Sequence, residues 1–227
     1  MKRLFVFDLD GTLYDLDDVV ASNYEIQLSF VMSKTGKTRQ EVVSYFEANS
    51  VFPVMTTESK SATELFLRDG FSREEWNAFR ENRYSVDSID VNKAVSPKLI
   101  EAFRSLGVCV LLSSNSYSTI LRILNRIGMR ATDFSSITCS DRFEGDRTFN
   151  KHDAMMRLLS MYGVEPVHML SIGDRFNTDI RPSLEIGGTG VLVKKPKYLA
   201  TVLRDLSRNS LRDCDEYSYF NSDGGHL

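Results

Sequence analysis

Residues 4–18 read LFVFDLDGTLYDLDD, four apolar residues running into five aspartates, and the fold hangs on how that stretch is read. Leu4–Phe7 has the character of a buried strand, which puts Asp8 at its carboxyl end and lets Asp10 lean towards the same point. Gly11 permits a sharp turn there, and Thr12 supplies a local hydrogen bond. Two carboxylates so placed can divide a reaction between them, one as nucleophile and the other as general acid and then base. A solvated Asp-x-Asp-Gly turn has the same composition, so this pair alone leaves both readings open.

Working outward, three more short apolar runs end in polar clusters: VCVLL before Ser113, VHMLSI before Gly173, and GVLV before Lys194. Segments of helical period lie between them. SPKLIEAFRSLG opens with Ser96 and Pro97, an N-cap followed by proline at the first helical position; STILRILNRIG stops at Gly128 and KHDAMMRLLSMYG at Gly163. Strand–helix alternation with short links predicts right-handed βαβ units and a parallel sheet, an α/β core whose functional residues gather at the carboxyl ends of the strands.

Residues 15–92 break that rhythm. DLDDVVASNYEIQLSFVMSKTG reads as one long amphipathic helix, with Asp17 and Asp18 at its start, where the helix dipole favours acids. Thr38–Glu41 and Ser72–Glu75 are capping boxes. Tyr24, Phe30, Tyr45 and Phe46 fall at helical spacing and read as core, as does Trp76. The expected organisation is therefore a core of 1–14 and 93–210, an all-helical insertion over 15–92, and a polar tail over 211–227 that frays. Hinges are expected near Tyr14–Asp15 and Asp90–Lys93. The loop VFPVMTTESKS, with Phe52 and Lys60, is the part of the insertion suited to meeting a substrate.

Bulk composition narrows the classes. At 42% hydrophobic and 26% charged the chain is globular, and a net charge of −3 offers no basic field for nucleic acid or anionic lipid. The three cysteines make no CxxC and no paired spacing, which suits a reducing compartment; with no signal segment and no transmembrane window, a cytoplasmic protein is expected. Oligomeric state is not legible in the residues.

Three clusters then raise the chemical reading of Asp8 and Asp10 above the bland one. LLSSNS places Ser113, Ser114 and Asn115 at the end of the second strand. FNKHDAMM places Lys151 where a helix begins, and SIGDRFNTDI ends a strand with Asp174 and Asp179. Acidic oxygens suit a hard cation, while hydroxyl, amide and lysine suit phosphoryl oxygens, so these are the parts of a Mg²⁺-assisted phosphoryl-transfer site.

On FDLDGTLYD, LLSSNS and SIGDRFNTDI, in that order, the chain resembles the haloacid dehalogenase-like hydrolase superfamily in its phosphatase branch. The resemblance implies a Rossmann-like parallel core with an inserted helical cap, and a Mg²⁺-dependent phosphatase of small phosphate esters. It further implies that Asp8 attacks phosphorus to form an aspartyl-phosphate and that Asp10 is the acid and base. Asp8, the backbone carbonyl of Asp10, and Asp174 would hold Mg²⁺; Ser114 and Asn115 would take phosphoryl oxygens. Lys151 would offset their charge, and Asp179 would orient Lys151 or a metal-bound water. Arg142 and Arg147 are rivals of Lys151, and Arg175 stands where the family often has a small hydroxyl residue. The spacing around TCSDRFEGDRTFNKHDAM also resembles the pyrimidine 5′-nucleotidase-like subgroup, which implies a nucleoside monophosphate or a sugar phosphate as substrate. A phosphomutase, a 2-haloacid dehalogenase and a non-catalytic binding member are the alternatives. The dehalogenase does not need Asp10, and a non-catalytic member would usually have lost one of the acids.

Overall fold

A computed structural model of the chain describes residues 3–17, 19–52, 62–143 and 149–222. The chain divides into two compact units, Met1–Asp15 with Ile89–Leu227, and Leu16–Ser88.

The first unit is built on a six-stranded sheet in the order β3-β2-β1-β4-β5-β6. Its strands are β1 (Arg3–Phe7), β2 (Gly107–Ser113), β3 (Ser136–Cys139), β4 (Met169–Gly173), β5 (Thr189–Val193) and β6 (Tyr217–Phe220). The first five pair in parallel with one another, and β6 is antiparallel to β5. This is the α/β core that strand–helix alternation predicts, with the Rossmann-like architecture that the family resemblance implies. β1 is covered on both faces, which is why it carries an unbroken apolar run rather than an alternating one. Leu4 and Val6 pack on one face with Val110, Leu112, Met155 and Leu158, while Phe5 and Phe7 meet Phe103 edge-on from the other. Phe103 lies on α5 (Pro97–Arg104) and the two α7 residues on Lys151–Tyr162, with α6 (Tyr117–Arg126), α8 (Arg181–Ile186) and α9 (Leu199–Ser207) completing the flanking layers.

The position of β1 matters for function. One neighbour, β2, follows it through the second unit and α5, and the other, β4, arrives from the opposite side of the sheet. Chain connections therefore diverge on either side of β1, and a crevice at its carboxyl end is the expected ligand position.

The second unit is helical: α1 (Val20–Thr35), α2 (Arg39–Ala48), α3 (Ala62–Arg68) and α4 (Arg73–Glu81). Both capping boxes form, Thr38 with Glu41 and Ser72 with Glu75. Phe30 is the centre of its core, in ring contact with Phe66, Phe71, Trp76 and Phe79; Phe46 packs on Tyr24 and Phe66. Trp76 is anchored by an indole N–H bond to Thr63 Oγ1.

Three expectations are corrected. The long helix begins at Val20, not at Asp15: Leu16 carbonyl accepts from both Val19 and Val20 amides, a turn that buries Val19, the N-cap residue, whose own side chain makes no cap bond. Asp17 is an exposed turn residue just ahead of the helix; Asp18 lies outside the described residues. The sheet has two strands more than the four apolar runs suggest, β3 and β6. The segment expected to fray supplies β6, held by backbone pairing to β5 and by a Tyr217 hydroxyl bond to Asp205. Among the described residues no helix is long and apolar enough to cross a membrane.

Candidate active site

Asp8 follows β1 directly, and its amide donates to Ile172 carbonyl on β4, so the strand pairing itself sets its backbone. The side chain is nearly sealed from solvent. Lys151, the first residue of α7, reaches it: the ammonium donates to Asp8 Oδ1 at 2.6 Å and to Asp179 Oδ1 at 2.7 Å. Asn150 places that helix start by accepting the Asp153 amide.

Asp174 follows β4, and Asp179 comes from the π-helical turn Phe176–Ile180 that follows. The turn is held inward by Asp179 itself, whose Oδ2 accepts the Arg175 amide and whose Oδ1 accepts the Thr178 hydroxyl. Asp8, Asp174 and Asp179 each present a carboxylate oxygen, and these atoms all lie within 4.8 Å of one another. Gly11 is what lets Asp174 in, since a Cβ there would sit 2.2 Å from Asp174 Oδ2.

Three acids lie together and Lys151 reaches two of them, which leaves negative charge to spare. Burial, then the neighbouring acids Asp179 and Asp10, push the Asp8 carboxyl up to about 7 against the opposing pull of Lys151. Burial, followed by Asp179 and Asp8, holds the Asp174 carboxyl well above the usual carboxylate range. Burial opposes the charge on Lys151, but the attraction of Asp179 and Asp8 outweighs it and raises its affinity for the proton. Among the described residues Asp174 Oδ1, which is buried, finds no hydrogen-bond partner, which is costly for a carboxylate oxygen unless something else answers it. A hard divalent cation fits this donor set by charge and by oxygen chemistry.

Asp10 stands beside this cluster, not in it. Its two oxygens accept from the Tyr14 hydroxyl at 2.5 Å and from Asn115 Nδ2 at 2.6 Å. Asn115 is buried just after β2, its amide bonded to Ser113 Oγ and its carbonyl accepting from the Ser140 amide and hydroxyl. Ser114 between them is exposed. The structure thus brings Asp8, Asp174, Asp179 and Lys151 together, with Asp10 linked to Asn115.

Arg142 is exposed and lies over the Tyr117 ring, its guanidinium carbon 3.2 Å from the ring centroid. Arg147 and Lys60 lie outside the described residues, and Phe52 is half-buried in the helical unit. Arg175 is half-buried, and its charge opposes the rise in the Asp174 carboxyl. Sequence reading assigns Tyr14 only to a hinge and overlooks its bond to Asp10. The four-residue spacing across a glycine turn was the available clue.

A model of the haloacid dehalogenase-like hydrolase family matches residues 2–187. No curated protein matches the chain significantly. Solved structures do. A haloacid dehalogenase-like family hydrolase from Xanthomonas campestris superposes with a TM-score of 0.55 at 16% identity, over 92% of this chain and 93% of that one. A HAD phosphatase from Thermococcus onnurineus gives 0.56 at 16% identity, over 89% and 98%. A β-phosphoglucomutase from Clostridium difficile gives 0.56 at 16% identity, over 92% and 100%. At such identities the likeness speaks for the fold.

Proposed function

The chain belongs to the haloacid dehalogenase-like hydrolase family, and from that membership we propose that it is a Mg²⁺-dependent phosphatase of small phosphomonoesters. A sugar phosphate or a nucleoside monophosphate is the proposed substrate class. The observation that carries this reading is the lysine-bridged acid cluster, in which Lys151 spans Asp8 and Asp179 while Asp174 Oδ1 beside them has no partner among the described residues.

In the proposed reaction an Asp8 oxygen forms a bond to phosphorus as the ester P–O bond breaks. Asp10, protonated, gives its proton to the departing oxygen and is left as the carboxylate. It then takes a proton from water, whose oxygen attacks phosphorus; the Asp8–phosphorus bond breaks and inorganic phosphate leaves. Ser114 and Asn115 are proposed to bind phosphoryl oxygens, and Lys151 to offset their charge and fix Asp8. Asp179 positions Lys151. Asp8 and Asp174, with the Asp10 carbonyl, are the proposed holders of Mg²⁺. When bound there, the cation would neutralise the carboxylates and the phosphoryl charge they face.

The helical unit Leu16–Ser88 contains none of these residues, and its proposed task is to choose the substrate, with Phe52 and Lys60 as candidates. The presence of Asp10 favours phosphoryl transfer over dehalogenation. The test is a panel of phosphate esters assayed for released phosphate with Mg²⁺, with EDTA, and after Mg²⁺ is restored. Release that stops with EDTA and returns with Mg²⁺ is expected. Undiminished release after exhaustive chelation would defeat the reading, and phosphate moved to a second hydroxyl of the substrate without release would make the protein a mutase.

A further inference from the structure

We propose that Tyr14 is a positioning residue for Asp10, its hydroxyl holding the acid–base carboxyl in place through both halves of the reaction. The inference rests on the phosphatase reading and deepens it.

The geometry is local and rigid. Gly11, at a φ of +81°, turns the chain just after Asp10, and Leu13 amide bonds back to Leu9 carbonyl at 2.9 Å. Asp10 and Tyr14 then pair as an isolated backbone bridge, and the Leu13 carbonyl accepts the Val95 amide, which ties the turn to the core. The Tyr14 side chain is fully buried and its hydroxyl lies 2.5 Å from Asp10 Oδ1. The second oxygen is held by Asn115 Nδ2 at 2.6 Å.

Both partners donate to Asp10, one at each oxygen, and together they fix the plane of the carboxyl group. A carboxyl oxygen that carries a proton still keeps a lone pair, so the Tyr14 hydroxyl goes on donating to Oδ1 while the proton itself stays free for the departing oxygen. The rival explanation is that a buried tyrosine merely needs an acceptor. In that case removing the hydroxyl would affect all substrates alike.

The test compares Tyr14→Phe with the wild-type protein on two esters, propyl phosphate and 4-nitrophenyl phosphate, both with Mg²⁺. The value of kcat/KM reports the step that breaks the ester bond. An alkoxide needs a proton to leave and 4-nitrophenolate does not. Tyr14→Phe is expected to lower kcat/KM on propyl phosphate by about 10- to 10²-fold, and on 4-nitrophenyl phosphate by less than about threefold, with the melting curve little changed. In an Asp10→Asn background Tyr14→Phe should cost nothing further on propyl phosphate. Equal losses on both esters, or the same loss with and without Asp10, would overturn the inference while leaving the phosphatase reading standing. A wild-type protein inert on both esters would overturn the two together.

Discussion

Between Gly11 and Asp174 there is room for a hydrogen atom and no more. A β-carbon on Gly11 would lie 2.2 Å from Asp174 Oδ2, and the residue's φ of +81° disfavours side chains even without the clash. The turn after β1 and the acid after β4 are thereby one feature. Gly11→Ala is expected to displace Asp174, to weaken Mg²⁺ binding, and to cost about 1–3 kcal/mol in stability. Titration of Mg²⁺ by calorimetry, beside a denaturant melt, checks both. Unchanged Mg²⁺ affinity would show that Asp174 is not one of the proposed holders of the cation.

The two opening acids should fail differently. Asp8→Asn removes the proposed nucleophile and one of the two acids bridged by Lys151, so turnover should be lost and no acid-stable phosphoryl label should appear on the protein. Asp10→Asn leaves Asp8 and its lysine in place. It should slow turnover by about 10²–10⁴-fold, with KM little changed. Rapid-quench labelling with a radioactive phosphate ester separates the two. A labelled Asp8→Asn protein would place the nucleophile elsewhere.

At the far edge of the sheet, β6 depends on the Tyr217–Asp205 bond, 2.9 Å long. The bond to Arg204 and the Tyr217 hydroxyl hold the Asp205 carboxyl below its usual range, partly opposed by burial; burial and then Asp205 push Tyr217 up to about 12. A depressed carboxyl contributes stability above its unfolded value of 3.8 and loses it as pH falls further. A raised phenol contributes below its ordinary value of 10 and loses it as pH climbs through about 12. Tyr217→Phe should therefore cost about 1 kcal/mol at neutral pH, and the difference from wild type should shrink in acid once Asp205 is protonated. Denaturant midpoints for both proteins at pH 7 and pH 3 measure it. A difference that grows on acidification would contradict the assignment.

Much of the core was legible because its signals are local. Leu4–Phe7 is apolar on both faces, as a central parallel strand must be, and Pro97, Gly128 and Gly163 punctuate helices where their backbone preferences require. β3 and β6 were not legible for the opposite reason. SITC is four residues long and only its last is fully buried, and YSYF sits in a polar segment that becomes a strand only because β5 offers an open edge. The start of α1 was misplaced because Asp15, Asp17 and Asp18 resemble a capped first turn, whereas burial of Val19 carries the chain through a turn first.

The same division runs through the site. Read alone, the residues told which acids, hydroxyls and amide stand after the strands and which lysine opens a helix, because periodicity and turn chemistry act over a few residues. Only tertiary structure decided that Asp8 and Asp179, 171 positions apart along the chain, share one ammonium, that Asp174 fits against a glycine, and that Asp10 turns to Tyr14 and Asn115. Those outcomes depend on β1 lying between β2 and β4, which brings their ends together. They depend too on burial, which makes each carboxylate oxygen find a donor or be left wanting one.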